Sequence, residues 1–229
     1  EEILLSEVDS TPDYRYSDLG FYMISELVKR VNGKEIDSFF RDEIARPLGL
    51  LNMEYNPLDK GIAKARIAPS EEDRYYRLQT LQGYVHDMGA AMWGGVSGHA
   101  GLFSNAMDVA VLMQCFLNKG IYNERRLFDA DIVERFTKRH PASTRRGIGF
   151  DMKELDADKT LNMAEEASPR TFGHLGFTGT AAWADPAENL VFVFLANRTY
   201  PTMTNNLFSK DNYRPRFQSI VYRSIKDNQ

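Results

Sequence analysis

The chain has 229 residues, of which 43% are hydrophobic and 26% charged, and a net charge of −4 from 28 basic and 32 acidic residues. This is the composition of one globular domain with a sizeable core. It excludes a basic nucleic-acid stripe, an apolar run long enough to span a bilayer and, with Cys115 as the single cysteine, an internal disulfide.

Residues 1–13 are polar, with one apolar patch and a turn at Thr11-Pro12-Asp13. The abrupt start at Glu1, with neither an initiator methionine nor a leader, reads as a fragment or processed product. Tyr14-Arg15-Tyr16 leads into Ser17-Asp18, a helix start. That helix is expected to run to about Val31 and stop at Asn32-Gly33, with Phe21, Ile24, Leu27, Val28 and Val31 at helical spacing. A second helix is expected over roughly Glu35–Ala45, with Phe39, Phe40 and Ile44 inward, ending before Pro47. From Asn52 to Gly101 regular periodicity is lost, and this stretch is read as a functional wall. Helices return at about Ala106–Asn118, with Val109, Leu112, Met113 and Phe116 on one face, and at about Asp129–Lys138, with Ile132, Val133 and Phe136 inward. Strand signals begin at Gly147-Ile148-Gly149-Phe150.

The run Phe172–Pro186 is read as one strand containing Gly173, Gly176 and Gly179. A turn at Asp185-Pro186 then leads to Asn189–Arg198, an antiparallel partner apolar at nearly every position and so expected to be central. Glycines in the first strand suit a close approach to the backbone, with a ligand as the candidate. A closing helix covers about Arg214–Lys226. Helices first, then strands, then a helix give an α+β fold: an antiparallel sheet flanked by helices, plus a helical region.

The candidate chemistry is sparse. None of His86, His99, His140 and His174 shows metal-ligand spacing, so no metal and no cofactor is predicted. His174, on a strand two residues before a glycine, can donate a hydrogen bond or carry a proton. It reads equally as a strand histidine satisfied by a neighbour. Tyr16, just before a helix N-terminus, is placed where the dipole favours a phenolate that can shuttle a proton; alternatively it packs the helix entry. Asp18 is a helix N-terminal residue or a cleft carboxylate that binds a substrate amide. The glycine-rich Gly94–Gly101 loop lacks a phosphate-loop lysine and reads as a cleft wall.

Taken together, Tyr16-Ser17-Asp18 and His174-Leu175-Gly176 resemble the second and third motifs of the serine β-lactamase and penicillin-binding superfamily. The resemblance is to its class C β-lactamase-like branch, which includes esterases and D-aminopeptidases. Arg46-Pro47-Leu48-Gly49-Leu50, Val85-His86-Asp87 and Gly94–Ser104 are similar to segments between those motifs. Gly173–Thr180 and Asn197-Arg198-Thr199-Tyr200-Pro201 are similar to the β-lactamase-like region that ends large Bacteroidetes proteins beginning with a family 3 glycoside hydrolase domain. The resemblance implies acyl transfer through a serine acyl-enzyme. Tyr16 would be the proton shuttle, and His174 would stand at the lysine position of the third motif. The backbone N–H of Phe177 would be an oxyanion donor, and Asp18, Gly176, Phe177 and Thr178 would contact substrate. The implied substrate is a small molecule or a peptidoglycan-derived peptide or ester, in the periplasm or cell envelope.

Two departures qualify the resemblance. Asp18 stands where the branch has asparagine; a carboxylate cannot donate an amide hydrogen bond and repels an anionic substrate, which counts against β-lactam binding. The chain also contains no Ser-x-x-Lys. Residues 1–229 are therefore expected to be the C-terminal portion of one hydrolase domain, with the nucleophile before Glu1, and inactive alone. Exposed surface would be covered by self-association or by the missing N-terminal part. A non-catalytic cell-wall-binding or structural module is the alternative. An unrelated α+β ligand-binding domain would place Tyr16 and His174 far apart.

Overall fold

The computed structural model describes residues 2–7 and 14–227, so the turn expected at Thr11-Pro12-Asp13 lies outside the described residues. The helices are α1 (Glu2–Leu5), α2 (Leu19–Asn32), α3 (Ile36–Phe40), α4 (Arg46–Leu48), α5 (Met88–Met92), α6 (Ala106–Leu117), α7 (Ala130–Thr137), α8 (Leu207–Lys210) and α9 (Tyr213–Lys226). Six short strands form three two-stranded ribbons: β1 (Glu54–Tyr55) with β4 (Leu102–Phe103), β2 (Glu71–Asp73) with β3 (Gln79–Leu81), and β5 (Ile121–Tyr122) with β6 (Arg125–Arg126). The main sheet is antiparallel in the order β10-β9-β8-β7, from β7 (Asp151–Met152), β8 (Phe172–Leu175), β9 (Ala181–Asp185) and β10 (Leu190–Phe194). The α+β architecture is as expected.

Alternation along the strands builds two cores. One face carries Trp183, Ala181 and Phe192 against Tyr222 of α9 and the segment Met163–Ala167. The other carries Phe172, Ala184 and Val191 against Met113, Val109 and Phe116 of α6. Trp183 is 1% exposed; burial of each such large side chain stabilises by roughly 1.5–3 kcal/mol. Asp185 locks the α9 side. Its carboxylate accepts from Tyr222 Oη at 2.7 Å, Ser168 Oγ at 2.6 Å, and the Ser168 and Ala187 amides at 2.9 Å each.

Local chemistry sets the helix ends. Gly33, at φ 69°, closes α2 with its N–H on the Lys29 carbonyl. Asn105 caps α6 by accepting from the Asp108 amide at 2.8 Å. Pro47 does not end its helical run. Arg41–Ala45 form a π turn between α3 and α4, and the widened turn lets the chain pass a residue without an N–H. Gly49, at φ 71°, ends the run instead.

Four further expectations are corrected. Phe172–Asp185 is a hairpin, β8–β9, because Gly176–Thr180 folds into a turn: the Gly176 amide bonds to the Thr180 carbonyl at 2.8 Å and the Gly179 amide to the Gly176 carbonyl at 3.1 Å. β10 is covered on both faces but stands at the end of the sheet among the described residues. Gly147–Phe150 is a bend with Gly149 at φ 79°, and the strand begins at Asp151. The close approach at Gly173 comes from the sheet and not a ligand: a Cβ there would lie 1.9 Å from the Ala182 carbonyl oxygen and 2.8 Å from Trp183 Cε3. Two helix faces also differ. On α2, Ile24, Leu27 and Val31 are exposed while Ser25 is buried, and on α7 Val133 is buried while Ile132 and Phe136 are exposed.

Candidate active site

Three elements meet at the site: the entry to α2, the strand β8, and the segment leading into β7. Tyr16 lies just ahead of α2. Ser17 Oγ accepts from the Leu19 amide at 3.2 Å, whereas Asp18, at the N-cap position, makes no capping hydrogen bond. Its carboxylate is left half-buried beside the helix start. β7 pairs with β8 only at Asp151–Gly173 and Met152–Phe172. His174 and Leu175 therefore pair with β9 on one side and have no strand on the other among the described residues.

The fold brings Tyr16 and His174 together, with ring centroids 6.3 Å apart and planes tilted by 38°. His174 Nδ1 is 2.7 Å from the Leu175 carbonyl oxygen. That carbonyl can only accept, so Nδ1 carries the proton. Nε2 is then the acceptor, and Arg146 Nη1 faces it at 3.4 Å. The Arg146 guanidinium also lies 5.3 Å from the Tyr16 ring centre and 5.2 Å from that of Tyr14. Asp151, almost completely buried, anchors this group. It takes two hydrogen bonds from Arg145, at 2.7 and 2.6 Å, one from Asn162 at 3.1 Å and one from its neighbour's amide, the Met152 N–H, at 3.1 Å. Arg146 Nη1 stands 3.4 Å from the same carboxylate.

The phenolate expected at Tyr16 is not supported. Partial burial pushes the phenol above its ordinary pKa; the Asp18 carboxylate adds to this, and Arg146 opposes it. Tyr16, 56% exposed, is therefore a phenol with a proton to give.

Phe177 and Thr178 lie in the turn after β8. Phe177 is exposed, with the Arg198 guanidinium 4.5 Å from its ring centre and the His86 ring 5.6 Å away. Gly176, Phe177 and Thr178 follow directly on β8, the strand that carries His174, and Tyr16 faces His174 from the entry to α2, with Asp18 two residues further along the chain. The sequence reading missed Arg146, and its one signal was the Arg145-Arg146 pair ahead of Asp151.

A serine–histidine–aspartate chain lies elsewhere. Ser97 Oγ is 2.9 Å from His99 Nδ1, and His99 Nε2 is 2.8 Å from Asp87 Oδ1. Ser97 is 1% exposed, so its hydroxyl is closed to a substrate and this chain braces the glycine-rich loop. Gly98 of the loop packs so tightly on α2 that a Cβ would lie 2.3 Å from the Phe21 carbonyl oxygen. The loop packs on α2, the helix that follows Tyr16. Among the described residues, no three His, Cys, Asp or Glu side chains cluster as metal ligands.

A family model for β-lactamase matches residues 9–208. The chain belongs to the β-lactamase family. It is 38% identical over 209 residues to a protein of Escherichia coli K12 named "Putative D-alanyl-D-alanine carboxypeptidase", a match covering 84% of this chain and 48% of that protein. A protein of the same name from Salmonella agona is 37% identical over 203 residues, covering 83% and 46%. The chain spans about half the length of the curated relatives it matches. Among solved structures, a simvastatin synthase mutant from Aspergillus terreus aligns at TM-score 0.60 and 16% identity, covering 90% of this chain and 54% of that one. A β-lactamase from Mycobacterium bovis aligns at TM-score 0.53 and 22% identity, covering 80% and 56%. These two structures share the fold.

Proposed function

We propose that residues 1–229 are the C-terminal portion of a class C-like serine hydrolase domain acting through an acyl-enzyme on an amide or ester. The observation that carries the proposal is the meeting of Tyr16 and His174 at 6.3 Å beside an exposed turn, in a chain of the β-lactamase family. The nucleophile is assigned to a Ser-x-x-Lys motif upstream of Glu1. The lysine of that motif takes the serine proton, and Tyr16, held as a phenol, hands a proton to the leaving group and is reprotonated from that lysine. His174 accepts through Nε2, from Tyr16 or from a substrate N–H. The Phe177 amide takes the developing oxyanion. Asp18 is an acceptor and suits a substrate N–H, not a carboxylate.

The proposed substrate is a peptidoglycan-derived peptide or ester in the periplasm or cell envelope, in keeping with the names of the curated relatives. No helix among the described residues is long and apolar enough to cross a membrane. Fusion to a family 3 glycoside hydrolase domain is part of the same proposal, carried by the motifs around Gly173 and Asn197. The test is release of D-alanine from an acyl-D-Ala-D-Ala peptide, or of acid from an ester, by a protein extended upstream of Glu1. Tyr16→Phe is expected to lower kcat by about 10²–10⁴. Full activity in that variant overturns the assignment. A second reading, a non-catalytic cell-wall module, rests on Asp18 at the asparagine position and on the lack of Ser-x-x-Lys in this chain. No hydrolysis by the extended protein favours it.

A further inference from the structure

We infer that Arg214 and Arg198 are positioning residues that each fix the direction of one backbone N–H of the Gly176–Thr180 turn, the turn that follows His174. The inference rests on the proposed hydrolase reading for its catalytic consequence, but not for its geometry. Every carbonyl on the relevant part of the turn is held. Arg214 Nη1, reaching over from the first turn of α9, donates to the Gly176 carbonyl at 3.1 Å and the Thr180 carbonyl at 3.2 Å. Arg198 Nε donates to the Phe177 carbonyl at 2.8 Å, and the Arg198 amide donates to the Thr178 carbonyl at 2.8 Å. The amides of Phe177 and Thr178 have no backbone partner among the described residues.

A trans peptide points its N–H opposite to its C=O. The Gly176 carbonyl and the Phe177 N–H belong to one peptide unit, so Arg214 fixes the direction of the Phe177 N–H. The Phe177 carbonyl and the Thr178 N–H belong to the next, so Arg198 fixes that one. A cation on the carbonyl also polarises the amide and strengthens its N–H as a donor. Neither arginine forms an ion pair with a carboxylate among the described residues. Arg214 is held below its ordinary pKa by burial and then by the neighbouring Arg198 charge. Two like charges turned onto one five-residue turn are what an oxyanion site gains from and what a purely structural turn does not need.

The test uses Arg214→Gln, Arg198→Gln and Arg214→Lys. In the present chain, amide hydrogen exchange by NMR is expected to show at least tenfold loss of protection at Gly176 and Gly179 in Arg214→Gln, with β9 and β10 amides unchanged, and partial recovery in Arg214→Lys. Unchanged protection in Arg214→Gln with an intact sheet overturns the inference. Where Arg214→Gln fails to fold, Arg198→Gln carries the test, through a shifted Thr178 amide resonance; an unmoved resonance overturns it. In the upstream-extended enzyme, Arg214→Gln is expected to lower kcat at least tenfold with KM unchanged. Lost protection with full kcat overturns the catalytic consequence. An extended wild-type protein that hydrolyses nothing while exchange responds as expected sinks the hydrolase reading alone.

Discussion

Replacing Asp151 by asparagine tests whether the fold and the site share one anchor. The carboxylate accepts two bonds from Arg145, one from Asn162 and one from the Met152 amide, and faces Arg146. An amide retains one oxygen and turns an NH2 group toward donors. One Arg145 bond and one neutral bond survive; the others are lost. A hydrogen bond to a charged group contributes about 1.5–3 kcal/mol. Arg145, with its side chain 31% exposed, regains part of its loss from water. The expected cost is about 2–4 kcal/mol, a fall of about 4–16 °C in Tm for a chain of this size. Urea titration followed through tryptophan fluorescence, in a Trp93→Phe background so that Trp183 alone reports, reads the first consequence. The second appears in the tyrosinate absorbance titration, referenced to Tyr16→Phe. After burial, Asp18 and Tyr14, the Asp151 charge is the smallest of the influences that raise the Tyr16 pKa, so its removal moves that pKa slightly down. Removing Arg145 as well, as Arg145→Gln, should recover part of the stability because an uncompensated cation goes with it. A loss below about 0.5 kcal/mol, or a Tyr16 titration that moves up, refutes the reasoning.

Tyr222→Phe removes the 2.7 Å bond to Asp185 and should cost about 1.5–3 kcal/mol in a urea melt. Burial works against ionisation of Asp185 and Glu166, but hydrogen bonds from Ser168 and Tyr222 to the former, and from Arg223 and Ser219 to the latter, outweigh it and hold both carboxyls down, Glu166 at about 2. Depressed folded values mean that the unfolded chain binds more protons, so this stability is complete above the unfolded carboxylate range near 4 and is lost as pH falls through it toward about 2. The urea midpoint should therefore fall steadily from pH 5 to pH 2; a flat profile contradicts it. Gly173→Ala places a methyl 1.9 Å from a backbone oxygen of β9 and should cost about 3 kcal/mol or more, visible as a lower Tm with altered Trp183 fluorescence in the same Trp93→Phe background.

Local signals made the helices legible. Gly33 past α2 is short-range chemistry and acts as read, and Asn105 caps α6 by the same kind of local bond, which the sequence reading did not name. The hairpin inside Phe172–Asp185 was hidden because Gly176 and Gly179 look the same in a glycine-rich strand as in a turn; only the pairing of His174 with Ala182 distinguishes them. The inward face of α2 was misread because its apolar spacing is real while the side packed on Gly98 is polar, with Ser25 at the contact. Periodicity reports an apolar stripe, not what covers it. The meeting of Tyr16 with His174 came from motif resemblance alone, since no local rule joins residues so far apart in the chain. Arg146 and Arg214 carried no such signal, and Arg198 fell within a resembling segment that assigned it no role. Their roles arise from carbonyls, rings and a buried carboxylate supplied by other elements, and an arginine in sequence reads as solvated surface.

The central claim is the proposal that Tyr16 and His174 belong to the half of a serine hydrolase site that lacks the nucleophile. Intact mass after incubation with a fluorophosphonate tests it most directly, on this chain and on a protein extended upstream of Glu1. A single phosphonyl adduct on the extended protein, mapped to a Ser-x-x-Lys serine and absent from the present chain, is the predicted result. An adduct on a serine of the present chain, or none on a folded extended protein, contradicts the account.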